Sequence, residues 1–126
     1  MRKLVIPGKL PGLNEAFGYA RTYKHKEAAE RREAERTIMW AAKGCLRGFK
    51  AKGPVVLHYH FYEPNKRRDK DNIAGYAMKL IQDSLVKGGY LDGDGWRHIE
   101  NFDFSWHVDN KKPRIEVELE DLNAEK

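Results

Sequence analysis

The chain has 126 residues, a formal net charge of +5, and apolar side chains at 40% of its positions. This length fits one compact domain, and an aromatic content of 11% argues against wholesale disorder. No apolar run approaches the ~20 residues of a membrane span, and one cysteine, Cys45, excludes an internal disulfide and a cysteine-based zinc site. We therefore expect a cytoplasmic protein with no membrane partner. Because acids concentrate after residue 115, the preceding chain is strongly basic, which suits either a polyanionic partner or plain solubility.

Six elements are predicted in the order β-α-β-α-β-β. Strands are predicted over residues 4–6, 55–62, 96–108 and 114–119, and helices over 23–47 and 72–86. The last two strands alternate well enough to form a hairpin joined at Asp109-Asn110. This order predicts an α+β fold, with two main helices packed on a mixed sheet. Residues 1–121 would form the domain, and residues 122–126 a flexible tail.

The first predicted helix changes character along its length. Its second half has apolar residues at helical spacing, so we expect the C-terminal end to be buried. Its first half is polar and projects over solvent or a partner; the bases there are Lys24, Lys26, Arg31, Arg32 and Arg36. These bases could lie along DNA, but interleaved glutamates fit an ordinary solvated face equally well. The tryptophans Trp40, Trp96 and Trp106 could stack on opened bases, although packing in the core or in a dimer is more usual.

Two acidic segments are candidates for chemistry. Asp69 and Asp71 lie where an extended segment enters the second helix, so both carboxylates can face one point there. On a regular helix they would point ~200° apart. The second helix carries the chain back, and the turn with Asp92 and Asp94 is expected near the same end of the sheet. Three converging carboxylates suit Mg²⁺ or Mn²⁺, and adjacent bases could hold phosphates: Lys66, Arg67, Arg68 and Lys70.

A plainer interpretation of the same acids stays open. Asp69 or Asp71 can cap the second helix, and Asp92-Gly93-Asp94-Gly95 can be a simple turn. Two histidines, His58 and His60, lie on the same side of a predicted strand and could bind a metal. Such residues more often fill a half-buried sheet face.

The chain resembles the RusA family of Holliday junction resolvases. The resemblance is carried by Arg67-Arg68-Asp69-Lys70-Asp71-Asn72, Asp83-Ser84-Leu85, Leu91-Asp92-Gly93-Asp94-Gly95-Trp96 and the opening Ile6-Pro7-Gly8-Lys9-Leu10-Pro11-Gly12-Leu13-Asn14. It implies a RusA-like fold and Mg²⁺-dependent cleavage of four-way branched DNA by a homodimer. The essential aspartates of the family fall on Asp69, Asp71 and Asp94, the last because it directly precedes Gly95-Trp96.

One position departs from the family pattern. A catalytic lysine is implied four residues after the second aspartate, and this chain has Gly75 there. The next lysine on the same helical face is Lys79, which we take as the candidate for steadying the phosphate or the leaving oxygen.

The sequence thus predicts a metal-dependent endodeoxyribonuclease of DNA recombination and repair. Asp69, Asp71 and Asp94 would be its metal ligands, and Lys66, Arg67, Arg68 and Lys70 would bind DNA. A module that binds branched DNA without cutting it is the alternative, motivated by Gly75. A nucleotide-binding enzyme that holds Mg-triphosphate on the Asp pair is less supported, because the chain has no glycine-rich phosphate loop.

Overall fold

The computed structural model describes residues 1–8 and 24–123, with side chains in the first helix from residue 28 onward. Its elements are β1 (Arg2–Pro7), α1 (Lys24–Cys45), β2 (Val55–Glu63), α2 (Lys70–Lys87), β3 (Ile99–Val108) and β4 (Arg114–Asp121). The predicted α+β class and element order are confirmed. Gly89, at φ +81°, takes the left-handed conformation that ends α2, as the Gly88-Gly89 pair predicts. The opening segment from Lys9 to Asn14 lies outside the described residues.

The four strands form one mixed sheet in the order β1-β4-β2-β3. β4 runs antiparallel to both β1 and β2, while β3 runs parallel to β2. The predicted hairpin between the last two strands is therefore wrong, because β2 lies between them. α2 returns the chain along β2, so β3 starts at the same end as β2 and pairs with it in parallel. The turn after β3 then passes over the end of β2, where the Asp109 N–H donates to the Glu63 carbonyl at 2.8 Å.

Both helices cover the same face of this sheet. Every second residue of β2, from Val55 to Glu63, is buried on that face. α1 packs its apolar C-terminal half there, as predicted, and α2 packs the stripe that its spacing predicts. The core residues of the two helices are Ala34, Ile38, Ala41, Ala42, Leu46, Ile73, Ala74, Ala77, Leu80, Ile81 and Leu85. No helix in the described ranges is long and apolar enough to cross a membrane.

The opposite face of the sheet is polar and carries His58 and His60. The His58 ring lies between Asp103 (2.9 Å) and Glu120 (3.1 Å), so it links three strands. His60 bonds to Glu118 at 2.7 Å on the same face. Both rings are about one-quarter exposed, which agrees with histidines that fill a half-buried sheet face.

The predicted tail begins with a turn after β4. Leu122 donates its N–H to the Pro54 carbonyl at 3.0 Å, and Asn123 donates to the Asp121 carboxylate at 3.1 Å. Residues 124–126 lie outside the described part of the chain.

Candidate functional site

A cleft of about 890 Å³ opens where β2 and β3 end and α2 begins. The segment between β2 and α2 forms one wall, and the end of β3 forms the other. Its lining is unusually rich in ionisable side chains; the residues are Glu63, Asn65, Lys66, Arg68, Asp69, Lys70, Asp71, Ile73, Trp106, His107 and Val108. Two of the three predicted metal ligands, Asp69 and Asp71, therefore lie together in this cleft.

Asp69 occupies the N-cap position of α2 with an extended backbone, φ −75° and ψ 145°. Its main-chain carbonyl accepts the Ile73 N–H at 3.1 Å, but its carboxylate makes no capping hydrogen bond. An N-cap aspartate ordinarily uses its side chain for that bond. The exposed Asp69 carboxylate thus stays available for another ligand, and the positive end of the helix dipole favours its charge. Asp71 is exposed in the first turn, and its Oδ1 accepts the adjacent Asn72 N–H at 2.9 Å.

The four predicted DNA-binding bases do not play equal parts. Lys66 and Arg67 are exposed beside the acids, and the Lys70 ammonium lies 5.8 Å from the centre of the Trp106 ring. Arg68 instead points inward: its Nε and Nη2 donate to the Glu63 carboxylate at 3.0 and 2.8 Å. The side chains of Arg68 and Glu63 are only 11% and 9% exposed. Arg68 therefore anchors the segment that presents Asp69.

Glu63 is a residue that the sequence analysis missed. It stands at an inward-facing position of β2, in register with the buried residues of that strand. A charge at such a position requires a partner, because an unpaired buried carboxylate is costly. The inward-facing position of Glu63 on β2 could have indicated a buried carboxylate. The nearby arginines, Arg67 and Arg68, were the candidates for its ion-pair partner.

Asp94 does not join the other two aspartates within one chain. It lies in the connection between α2 and β3, beside a second cleft that includes Gln82, Trp96 and the first residues of β3. The expectation that this turn returns to the same end of the sheet is wrong. α2 spans 18 residues, or ~27 Å of rise, so it carries the chain to the start of β2, where Val55 N–H donates to the His98 carbonyl at 2.9 Å. Within the described ranges of one chain, no three acidic, histidine or cysteine side chains form a group suited to a metal ion.

Lys79 links Asp94 to α2. Its ammonium donates to Asp83 Oδ1 at 3.0 Å and lies 3.7 Å from Asp94 Oδ2. The hydrogen bond to Asp83, together with the nearby charge of Asp94, raises the pKa of Lys79 above its ordinary value. The side chain thus points one turn onward along the helix, not back toward Gly75. Asp92, by contrast, pairs with Lys50 at 3.0 Å on the surface.

The tryptophans have three different environments. Trp106 is half-buried and stacks on Phe61, with ring centres 4.6 Å apart. Trp96, beside Asp94, is 99% exposed, and Trp40 on α1 is 70% exposed. Only Trp106 therefore packs against the core.

No model of a known protein family matches the chain, and no curated protein matches it significantly. A proposal for its function therefore depends on the site itself.

Proposed function

We propose that the chain is a metal-dependent endonuclease that hydrolyses a phosphodiester in branched DNA, with four-way junctions as the substrate class. The observation that supports this best is the pair Asp69 and Asp71, two exposed carboxylates in a cleft that Lys66 and Lys70 also line. Arg67 is exposed and follows Lys66 in the chain. Carboxylate oxygens are the ligands that Mg²⁺ and Mn²⁺ prefer, and the bases suit a phosphate bound beside the cation. The resemblance to RusA resolvases supports the same activity.

A second copy of the chain would supply the third carboxylate. β3 is an edge strand, and it connects the two clefts: its first residues lie beside Asp94, and its last residues line the cleft of Asp69. If the β3 strands of two copies pair antiparallel about a two-fold axis, the first half of each faces the second half of the other. Asp94 of the partner would then approach Asp69 and Asp71.

The side chains of β3 are compatible with that pairing. Centred on Phe104, it places Phe102 opposite Trp106 and Asp103 opposite Ser105, so no like charges face each other. Phe102 and Phe104 are 40% and 37% exposed in one chain, which is a large apolar surface for an unpaired edge. Pairing would bury this surface and remove the edge.

Each group then has a role that its position supports. Asp69 and Asp71 of one copy, with Asp94 of the other, would hold the cation, which when bound activates water and neutralises charge on the phosphate. Lys66, Arg67 and Lys70 would bind the DNA backbone. Lys79 lies next to Asp94 in the same copy, so it would lie beside the scissile phosphate.

A non-cleaving module for branched DNA is the second candidate. The separation of Asp94 from the other acids in one chain, and Gly75 in place of the implied lysine, favour it. Such a module would use the same basic rim but would need no assembled carboxylate triad.

Incubation with an end-labelled synthetic four-way junction, with Mg²⁺ or with EDTA, tests the proposal. A linear duplex of the same sequence is the control. We expect cleavage of the junction only when Mg²⁺ is present. Junction binding without cleavage in Mg²⁺ or Mn²⁺ would favour the second candidate, and no preference for the junction over the duplex would contradict both.

A further inference from the structure

Helix α1 carries an exposed row of three bases and one tryptophan, Arg32, Arg36, Trp40 and Lys43, which we call the α1 stripe. Their spacings of four, four and three residues place them within ~80° of one another around the helix axis. The stripe is remote from the acidic cleft. α1 ends beside the start of β1, where Arg2 donates to the Cys45 carbonyl at 3.2 Å, and the cleft is at the other end of the sheet.

Three glutamates of α1 with described side chains, Glu30, Glu33 and Glu35, lie near the stripe, and one of them pairs with residues outside it. Glu35 pairs with Arg31 at 3.6 Å and with Lys87 of α2 at 3.3 Å. Glu33 pairs with Arg36, so one of the three bases is partly neutralised. Arg32 and Lys43 form no ion pair with another described residue. The interleaved glutamates therefore do not cancel the positive charge of this face.

Trp40 is the second independent feature of the stripe. Its side chain is 70% exposed, and the bases Arg36 and Lys43 stand one turn before and after it. A shallow cavity runs along its ring; the lining is Arg32, Glu35, Arg36, Met39, Trp40 and Lys43. An indole of this size left in water forfeits a large burial energy, which a flat apolar ligand would recover.

We infer that the α1 stripe binds a single-stranded segment of nucleic acid. Trp40 stacks on one nucleobase, and the side chains of Arg32, Arg36 and Lys43 contact the phosphates. The stripe rises ~16 Å from Arg32 to Lys43, which is long enough to contact more than one phosphate of a single strand. Cations interleaved with an aromatic ring are the combination by which proteins hold unpaired strands. A duplex offers the same phosphates but keeps its base faces stacked inside the helix, so they are not free to stack on Trp40. This inference goes beyond the proposed cleavage and does not depend on it.

Binding of an oligothymidine of about 15 nucleotides, within the site sizes of single-strand binders, tests the role of Trp40. The full chain is titrated in EDTA, and fluorescence anisotropy of a dye on the oligonucleotide reports binding. We expect Trp40→Ala to weaken binding at least about fivefold, Trp40→Phe to keep it within about twofold, and Trp40→Leu to resemble Trp40→Ala. The affinity for a blunt duplex of equal length should change little in any of the three variants. A parallel titration with an oligouridine shows whether the protein prefers DNA or RNA.

The salt dependence of the same titration tests the bases. Arg32→Ala and Lys43→Ala should each reduce the slope against log salt by about 0.7, the value for one phosphate contact on a single strand. Lys52→Ala, at an exposed position between α1 and β2, serves as the charge-matched control and should leave the slope unchanged. The inference would be overturned by any of three results. These are wild-type affinity in Trp40→Ala, equal affinity of Trp40→Leu and Trp40→Phe, or equal salt slopes in the stripe variants and the control. Loss of self-association in Trp40→Ala with unchanged affinity would also overturn it.

Discussion

At the scale of single residues, the three aspartates differ in what holds them. The Asp69 carboxylate has no hydrogen-bond partner among the described residues, and Asp71 accepts only a neighbouring backbone N–H. Asp94 lies near Lys79 at 3.7 Å. None of these carboxylates is needed to hold the core together, so their substitution probes function more than folding.

Asp→Asn substitutions at Asp69, Asp71 and Asp94 should each abolish junction cleavage, because the amide keeps the shape and removes the charge that binds the cation. Junction affinity should stay or increase, since repulsion of DNA phosphate is relieved. Cleavage and gel-shift assays on the same preparations measure both effects. Asp92→Asn, at an acid paired with Lys50, is the matched control. Wild-type cleavage in all three variants, or a larger loss in Asp92→Asn than in Asp94→Asn, would refute the assignment.

Lys79→Ala should lower the cleavage rate at least about tenfold with little change in melting temperature, since its ion pairs with Asp83 and Asp94 are exposed. Single-turnover cleavage and thermal unfolding of the same variant separate the two effects. A variant that cuts normally but melts lower would make Lys79 a structural residue.

At the scale of elements, the segment between β2 and α2 is held by the ion pair of Glu63 and Arg68. Arg68→Ala leaves a buried carboxylate unpaired and should reduce the free energy of unfolding by about 3 kcal/mol. Arg67→Ala, at the exposed neighbour, should leave stability unchanged and reduce the salt slope of DNA binding by about 0.9. Urea unfolding and salt titration of both variants check this contrast. Equal stability of the two variants would mean that the pair does not anchor the segment.

His58 ties β2 to both neighbouring strands on the polar face of the sheet. Hydrogen bonds to Glu120 and then Asp103 raise the pKa of His58 above its ordinary value. The stabilisation from the protonated ring is therefore complete below the unfolded-state pKa of about 6.5 and is lost as pH rises through the higher folded-state pKa. NMR titration of the His58 ring should give a pKa that falls in Asp103→Asn. A His58 pKa that is unchanged in that variant would exclude the carboxylate as its cause.

The elements themselves were predictable, whereas their partners were not. The β-branched and aromatic residues of β2 and the apolar stripe of α2 are local patterns, and each predicted the right element in the right place. The alternation of apolar and polar residues in β3 and β4 is compatible with pairing to any other strand. It therefore could not show that β2 lies between them, and the predicted hairpin was wrong. Asp69 and Asp71 are two residues apart, so their proximity follows from the local chain. The distance to Asp94 within one chain depends on the full length of α2, and the spacing of the acids does not express that length.

At the scale of the whole molecule, the proposed cleavage requires self-association through β3. Phe102→Lys places a charge on the exposed edge and should weaken the dimer at least about tenfold. Val5→Lys, on the opposite edge strand β1, is the matched control and should leave the dimer intact. Sedimentation velocity over a range of concentrations measures both. Dimers of wild-type stability in Phe102→Lys would exclude this edge as the interface.

In the proposed dimer, each cutting site takes Asp69 and Asp71 from one copy and Asp94 from the other. Asp69→Asn and Asp94→Asn proteins, each inactive alone, are mixed, allowed to exchange subunits and assayed for nicking of a labelled four-way junction in Mg²⁺. A mixed dimer would then hold one site with both substitutions and one with none. Because about half of the dimers are mixed at equal amounts, we expect about a quarter of the wild-type nicking activity. A mixture that exchanges subunits but stays as inactive as its components would show that the three aspartates do not meet across two copies.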